Sequence, residues 1–488
     1  MNTSSSVQAL RARYGERYRW LVLLAVMVGT MASIMSSTIV NVAIPDMSHH
    51  FALGQDRAQW VSSGFMVAMT VSMLTTPWLL ARYGYRSVYV ATMALLLIGG
   101  LTGGLAVHFP VVLLARIAEG LAAGVVQPIP AIIILHAFAP HEQGRASGFF
   151  GMGVVLAPAL GPSIGGLLVE WFGWRSIFFM VVPFCLLSFW LAYKYVPVAA
   201  PGGQPVRRNG AGMDWRGLLL CCTATLCLLN GLVELRHGLD ATAVALLIAA
   251  AGGTALFLWW QRRLARQGHT PLLDLTLFRH RPYAMGTVVA FIYGTALFGS
   301  TYLLPVYMQM GLHIAPAHVG SILLPAGIVL AITIPLAGRL ADHRPTRQLV
   351  ATGLFLLAAS FALMVLLRVG SPLWLLALFS ILGRIGLGFI LPSLNLGAMR
   401  TLDKSQVSQG SSAISFLRML GGAAGVSLCA IVLEWRLAAH GAVLLQGQAS
   451  PAQLQAFGDT FLMLAGLCVL ALLAASQLRE APPPTPQP

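Results

Sequence analysis

Apolar residues recur along this chain in runs of about 20, parted by short polar stretches, from near its beginning to near its end. A helix of that length crosses a hydrocarbon core about 30 Å thick, so each run is a candidate membrane span. Run length and breaks at charge, proline and glycine predict fourteen spans, at 20–44, 60–81, 87–107, 110–135, 146–169, 175–196, 215–235, 241–261, 283–310, 317–341, 347–369, 372–396, 410–434 and 460–478. The expected fold class is all-α and integral to a membrane.

Composition agrees with the pattern. Of the 488 residues, 57% are hydrophobic and 9% charged, with a mean hydropathy of +0.78, whereas a soluble globule carries about 25% charged residues. The net charge of +15 would suggest nucleic acid if Lys and Arg formed a stripe or a tail, but they fall in short clusters between the apolar runs. That is a topology signal, with anionic membrane lipid as the natural partner and no nucleic acid. The cysteines, Cys185, Cys221, Cys222, Cys227, Cys429 and Cys468, all lie in apolar runs without metal-ligand spacing to histidine, and read as small core residues. His49 and His50 are adjacent in a predicted exterior loop and are read as facing water, so no metal is expected. The first apolar run follows Arg11, Arg13, Arg17 and Arg19 and lacks a small-residue cleavage site, so it is expected to remain as a span.

With the N-terminus inside, the exterior loops hold only Arg57, Arg175, Arg236, Arg368 and Arg436. The other side holds, among more, Arg82, Arg86, Arg145, Lys194, Arg207, Arg208, Arg216, Arg262, Arg263, Arg266, Arg279, Arg281, Arg339, Arg344, Arg347, Arg400 and Lys404. This asymmetry predicts that both termini are cytoplasmic. An internal repeat organises the count: "PWLLARYGYRSVYVAT" from Pro77 returns as "GRLADHRPTRQLVAT" from Gly338, and "ARIAEGLAAG" around Arg116 returns as "GRIGLGFILP" around Arg384. The expected plan is a cytoplasmic segment (1–19), a six-helix bundle (20–196), a linker (197–214), two inserted helices (215–261), a basic linker (262–282), a second six-helix bundle (283–478) and a Pro-rich tail (479–488). Related halves rocking about a midplane site are the architecture of alternating access.

Several short motifs carry a resemblance. "STIVNVAIP" (Ser37–Pro45), "GPSIGG" (Gly161–Gly166), "PLLDLTLFRHRPY" from Pro271, "YLLPVYMQ" from Tyr302 and "FLRMLGGAAGVSL" from Phe416 occur in this order, and together the chain resembles the fourteen-helix drug:proton antiporters of the major facilitator superfamily. The resemblance covers nearly the whole chain. It implies the major facilitator fold, with two six-helix halves plus two inserted helices, in a bacterial inner membrane. It further implies proton-coupled export of small hydrophobic or amphiphilic compounds, and a periplasmic adaptor partner where the host has an outer membrane.

The candidate residues follow. Gly161, Pro162, Gly165 and Gly166 fall on the antiporter motif; they put a kink and a smooth face on a helix, which serves either plain packing or a helix that bends and slides. Arg82, Gly84 and Arg86 occupy the place of the gating-loop motif, but Pro77 and Ala81 stand where the family has glycine and aspartate. The second copy keeps Gly338, Asp342 and Arg347, and is either a gate or a basic anchor. Glu119 alone among the acids lies well inside a span, and its spacing of three from Arg116 puts both on one helix face. The pair is either a neutralising salt bridge or a proton carrier tuned by Arg116; the family's usual residue at position 119 is an amide. Arg384, the repeat partner of Arg116, has Leu387 where Glu119 would stand, and Arg418 lies in the thirteenth span; both are candidates to meet an anionic head or to cap carbonyls. Asn41, Gln127, Asn230, Gln309 and Asn395 offer hydrogen bonds, while Trp78, Tyr293, Phe298, Tyr302 and Met308 offer an apolar wall to a substrate cavity.

Exporters of cationic drugs in this family often carry an acid just before the Thr-Ile-x-Asn signature, where this chain reads Met35, Ser36, Ser37. A lipophilic cation would lack that counter-charge, which keeps an exporter of anionic amphiphiles, such as fatty acids or lysolipids, as an alternative. A non-transporting membrane sensor is the reading from another class, disfavoured because no loop is long enough for a signalling domain. No phosphate loop, nucleophile elbow or metal-binding His pair is present in the sequence, so no catalytic residues and no cofactor are expected.

Overall fold

The computed structural model describes residues 7–198, 212–236, 238–368, 370–442 and 450–478, and among these there is no strand. Arg207, Arg208 and the tail from 479 lie outside the described residues, as do the side chains of Arg11 and Pro162. After a short helix, Val7–Tyr14, come α1 (Arg17–His50), α2 (Arg57–Tyr83), α3 (Tyr85–Gly104), α4 (Phe109–Ala137), α5 (Gln143–Phe172), α6 (Ser176–Tyr195) and α7 (Trp215–Leu235). They are followed by α8 (Ala241–Arg266), α9 (Arg281–Gly311), α10 (Pro316–Ala341), α11 (Thr346–Met364), α12 (Leu373–Met399), α13 (Val407–Ala439) and α14 (Pro451–Ala475). Thirteen of these have the length and hydropathy of a membrane crossing. The other, α5, has 30 residues, about 45 Å at 1.5 Å per residue, and is also long enough.

Helix ends depart from the apolar runs where polar sequence continues without a breaker. α1 runs on to His50, so His49 and His50 lie in its last turn rather than in a loop. The His50 ring packs on Phe51 and Trp174, and no group of metal-holding residues occurs among the described residues. α14 begins at Pro451, where the Ser450 hydroxyl accepts a hydrogen bond from the Gln453 N–H at 3.1 Å. A capped helix start in polar sequence cannot be found by scanning for apolar length.

Proline and small residues shape the interiors. α2 passes through a tight turn at Met73–Thr75 just before Pro77, which has no N–H to continue the helical ladder. α9 widens at Tyr307–Gly311, after Pro305. The outer surface is the reverse of a soluble protein's: Leu114, Leu219, Ile248, Phe355 and Leu473 are among its exposed apolar side chains, as suits a hydrocarbon solvent. Of the spans, α7 and α8 are the least buried.

The chain divides into two compact units. One takes Met1–Cys222, Trp260–Asp274 and Lys404–Phe416; the other takes Thr223–Trp259, Leu275–Asp403 and Leu417–Pro488. In the first, α4 packs on α1, α2 and α3, and α6 packs on α1 and α3. In the second, α12 packs on α9, α10 and α11, and α14 packs on α9 and α11. Counting α9 as the counterpart of α1, the neighbours are the same, so the sequence repeat is also a repeat of packing.

Candidate functional site: two buried arginines in related helices

In the first unit the site forms around Arg116, on α4. Its Nη1 donates to Glu119 Oε2 at 2.5 Å and to Ser36 Oγ of α1 at 2.7 Å, and the Ser36 hydroxyl donates to the same Glu119 oxygen at 3.1 Å. Its Nε donates to the Val61 carbonyl of α2 at 3.3 Å, and the guanidinium lies 4.2 Å from the centre of the Phe65 ring. Glu119 is 0% and Arg116 1% exposed. Ten residues into its helix, Glu119 is about 15 Å from the nearer end, and an ionisable residue at such depth costs about 2.5–3.5 kcal/mol on insertion scales. Pairing offsets that cost, incompletely: Glu119 Oε1 and Arg116 Nη2 have no hydrogen-bond partner among the described residues.

Room for the carboxylate comes from α3. A Cβ at Gly99 would stand 2.5 Å from Glu119 Cγ, and one at Gly100 would stand 3.0 Å from the Phe178 carbonyl oxygen and 3.5 Å from Glu119 Oε1. Helices α1 and α3 therefore close on an acid of α4, while α2 closes on its partner Arg116. Ser36, Val61, Phe65, Gly99 and Gly100 are the residues sequence reasoning missed here. Only Ser36 carried a signal, since it lies beside the signature where an acid is usual.

The antiporter-motif glycines meet the next stretch of α1. A Cβ at Gly161 would come 2.6 Å from Thr38 Oγ1, one at Gly165 would collide with Ile39 Cγ1, and one at Gly166 would find open space. Thus α1 touches the Glu119 pair through Ser36 and α5 through Thr38 and Ile39. Two of these three glycines, Gly161 and Gly165, let α1 and α5 approach closely. The second unit has a corresponding seam: a Cβ at Gly425 on α13 would lie 2.5 Å from Thr295 Cα on α9, one at Gly421 would collide with the Phe291 carbonyl, and Thr295 Oγ1 donates to the Gly421 carbonyl at 2.9 Å.

The two basic turns that are candidates for gating lie at helix ends. Gly84 ends α2 with φ +80, a left-handed conformation suited to glycine. Arg82 lies over the Trp78 and Tyr83 rings, and Arg86 donates to the Tyr193 carbonyl. In the other copy, Gly338 is buried in α10, Asp342 caps that helix with its N–H bonded to the Arg339 carbonyl, and Arg347 is exposed in the first turn of α11.

In the second unit Tyr293 of α9, 2% exposed, interacts electrostatically with both Arg384 of α12 and Arg418 of α13. Both arginines are half-buried, and neither has an ion-pair or hydrogen-bond partner among the described residues. Leu387, where the first unit has Glu119, is buried. The other cavity candidates are dispersed. Asn41 is exposed and accepts from Ser62 Oγ at 2.6 Å, Asn230 donates to the Leu226 carbonyl at 2.9 Å, and Gln127, Tyr302 and Asn395 are half-buried. Gln309 is exposed in the widened end of α9. Trp78 and Phe298 are half-buried, and Met308 is buried.

The comparisons with known proteins agree with this architecture. The profile of the Major Facilitator Superfamily matches residues 26–426. The chain is 29% identical over 426 residues to the multidrug resistance protein Stp of Mycobacterium tuberculosis (strain CDC 1551 / Oshkosh), an alignment covering 87% of this chain and 77% of that one. It is 25% identical over 415 residues to the riboflavin transporter RibZ of Clostridioides difficile, covering 84% and 87%. The crystal structure of the human organic anion transporter MFSD10 superposes with a TM-score of 0.65 at 14% identity, over 94% of this chain and 99% of that one. With the matched profile, the repeated packing and the long apolar helices in agreement, this chain belongs to the Major Facilitator Superfamily and is a membrane transporter rather than an enzyme.

Proposed function

We propose that the protein is a proton-coupled exporter of small hydrophobic or amphiphilic compounds, working by alternating access in a bacterial inner membrane with both termini in the cytoplasm. The observation that carries this reading is the Glu119 carboxylate, buried at membrane depth with Oε2 engaged by Arg116 and Ser36 and with Oε1 unpartnered. A relative named as a multidrug resistance protein supports the substrate class.

A proton on Oε1 removes the charge that holds Arg116, and the Ser36 bridge between α4 and α1 loses its anionic acceptor. α1 is then held less tightly at Ser36, two residues before Thr38, where Gly161 of α5 leaves a surface on which helices slide past each other. Protonation is thereby converted into a change of helix packing, the element that alternating access requires. One proton moving inward across 100 mV releases about 2.3 kcal/mol, enough for about a fifty-fold gradient of a neutral substrate in one-for-one exchange.

The test is uptake of a neutral hydrophobic dye into proteoliposomes under an imposed pH gradient. Glu119→Gln is expected to bind the dye and lose gradient-driven uptake, and Glu119→Asp to retain part of it. Recovery of gradient-driven uptake in the double variant Arg116→Gln with Glu119→Gln would reduce the pair to a structural salt bridge.

A further inference from the structure

The two related arginines differ in one respect that packing does not explain. Arg116 is provided with an acid, a serine and a backbone carbonyl by its own unit. Arg384, at the repeated position, has Leu387 in place of the acid, and Arg418 lies where α13 packs closely on Gly294, the neighbour of Tyr293. The second unit thus concentrates two positive charges at membrane depth where the first balances one. Neither side chain can escape along its helix: Arg384 lies eleven residues from the start of α12 and Arg418 eleven from the start of α13, about 16 Å of rise in each case.

Among the described residues, no acid of this unit pairs with them. Glu434 pairs with Arg236 at 2.6 Å, and it lies sixteen residues along α13 from Arg418, about 24 Å. Asp459 pairs with Arg436 at 2.6 Å and His440 at 3.0 Å. Asp342 caps α10, and Asp240 holds the first turn of α8 through the Ala243 N–H at 2.8 Å. Glu234 lies at the end of α7, and Asp403 follows α12. Position is held firmly, since a Cβ at Gly294, next to Tyr293, would collide with the Arg418 carbonyl oxygen. Half-buried intramembrane cations that no acid of the described residues pairs with are placed to receive an anion from outside the chain.

We propose that Arg384, Arg418 and Tyr293 form an oxyanion-binding site that takes the carboxylate or phosphate head of an amphiphilic substrate. This rests on the export reading above and narrows its substrate class. A guanidinium presents paired N–H donors matched to two oxygens of one head group, and the Tyr293 hydroxyl adds a second kind of donor. The tail lies against the apolar surroundings, including Phe298, whose ring lines the seam beside Gly422. A cation of equal tail length meets two like charges, so the site selects by head group rather than by size.

The experiment measures binding of dodecanoate, dodecyl phosphate, dodecanol and dodecylamine to the full-length protein in nanodiscs of neutral phosphatidylcholine. Dodecanoate or dodecyl phosphate is expected to bind at least tenfold tighter than dodecanol, and dodecylamine weaker than either. Arg384→Gln and Arg418→Gln should each bring the anion-to-alcohol ratio toward one. The corresponding Lys variants should keep a reduced preference, because charge survives without the planar fork. Tyr293→Phe should lower the ratio several-fold, and together with the wild-type head-group series it decides the matter if an Arg→Gln variant fails to fold. Equal binding of dodecanol and dodecanoate to the wild type, or a preference unchanged in Tyr293→Phe and both folded Arg→Gln variants, overturns the proposal. Loss of dodecanoate binding when phosphatidylglycerol is added, with no dodecanoate transport, also overturns it and assigns the site to a bilayer lipid. Gradient-driven uptake of the dye and of dodecanoate is measured in parallel: absence of transport of both with anion preference intact defeats the export reading alone, and transport of either without anion preference in binding defeats this one alone.

Discussion

Around Glu119 every neighbour is either a donor or a vacancy, and substitutions at the two kinds of neighbour should fail differently. Ser36→Ala removes a hydroxyl that both accepts from Arg116 and donates to Glu119. Hydrogen bonds to charged groups are worth about 1.5–3 kcal/mol each, so this variant should unfold at a lower temperature in detergent while keeping its backbone packing. Gly99→Ala instead forces a methyl against Glu119 Cγ and the Ala115 carbonyl, an overpacking that costs about 1–3 kcal/mol. Its expected signature is a drop in unfolding temperature that Glu119→Ala, by emptying the contact, partly relieves; additive losses in that double variant would mean that the two residues do not compete for space. The acid at 119 and its distance from Arg116 were legible as a one-face pair. Its cradle was not, because Gly99 and Gly100 carry no chemistry until another helix lies across them.

Helices meet here largely through glycine, and each seam can be tested against its own geometry. Gly161→Leu is expected to leave the protein in the membrane yet abolish dye export, since the side chain would enter the space of Thr38. Gly166→Ala, facing open space, should leave the unfolding temperature of the protein within about 1 °C of the parent, as expected of a surface change. Gly421→Ala should be the most damaging to stability, because its methyl would meet backbone of α9 rather than a side chain that can turn away. Unfolding temperatures in that order, with export measured at equal membrane expression, check the assignment. Wild-type export in Gly161→Leu would reduce the antiporter motif to ordinary packing. The motif glycines could be picked out from their order in the chain, but which of them touch a neighbour is a matter of rotation about the helix axis.

At the scale of the molecule, an even number of spans would put both termini on one side, and the arginine asymmetry predicts that this side is the cytoplasm. A cytoplasm-active reporter fused after Leu478 is therefore expected to be active, and an alkaline phosphatase fused there inactive; the reverse result would mean an odd number of crossings and would break the correspondence between α1–α6 and α9–α14. The repeat supplies a physical reason for expecting the even count, since each unit pairs its helices in the same way.

Solvent and span number were legible in the amino-acid order alone, because hydrophobic run length is a one-dimensional quantity that the bilayer reads directly, and the family was legible as a resemblance carried by five motifs in order. Helix ends in polar sequence, such as the start of α14 at Pro451, escaped that reading because capping is decided by hydrogen bonds and not by hydropathy. Only tertiary packing decided that Ser36 of α1 bridges Arg116 and Glu119 of α4, eighty and more residues away. It also decided that Arg384 and Arg418 both act electrostatically on Tyr293, with no acid paired to either among the described residues. A charge in a sequence states what must be balanced; whether the balance comes from the same chain or from a ligand depends on which side chains the fold brings within a few ångströms, and that distance exists only in three dimensions.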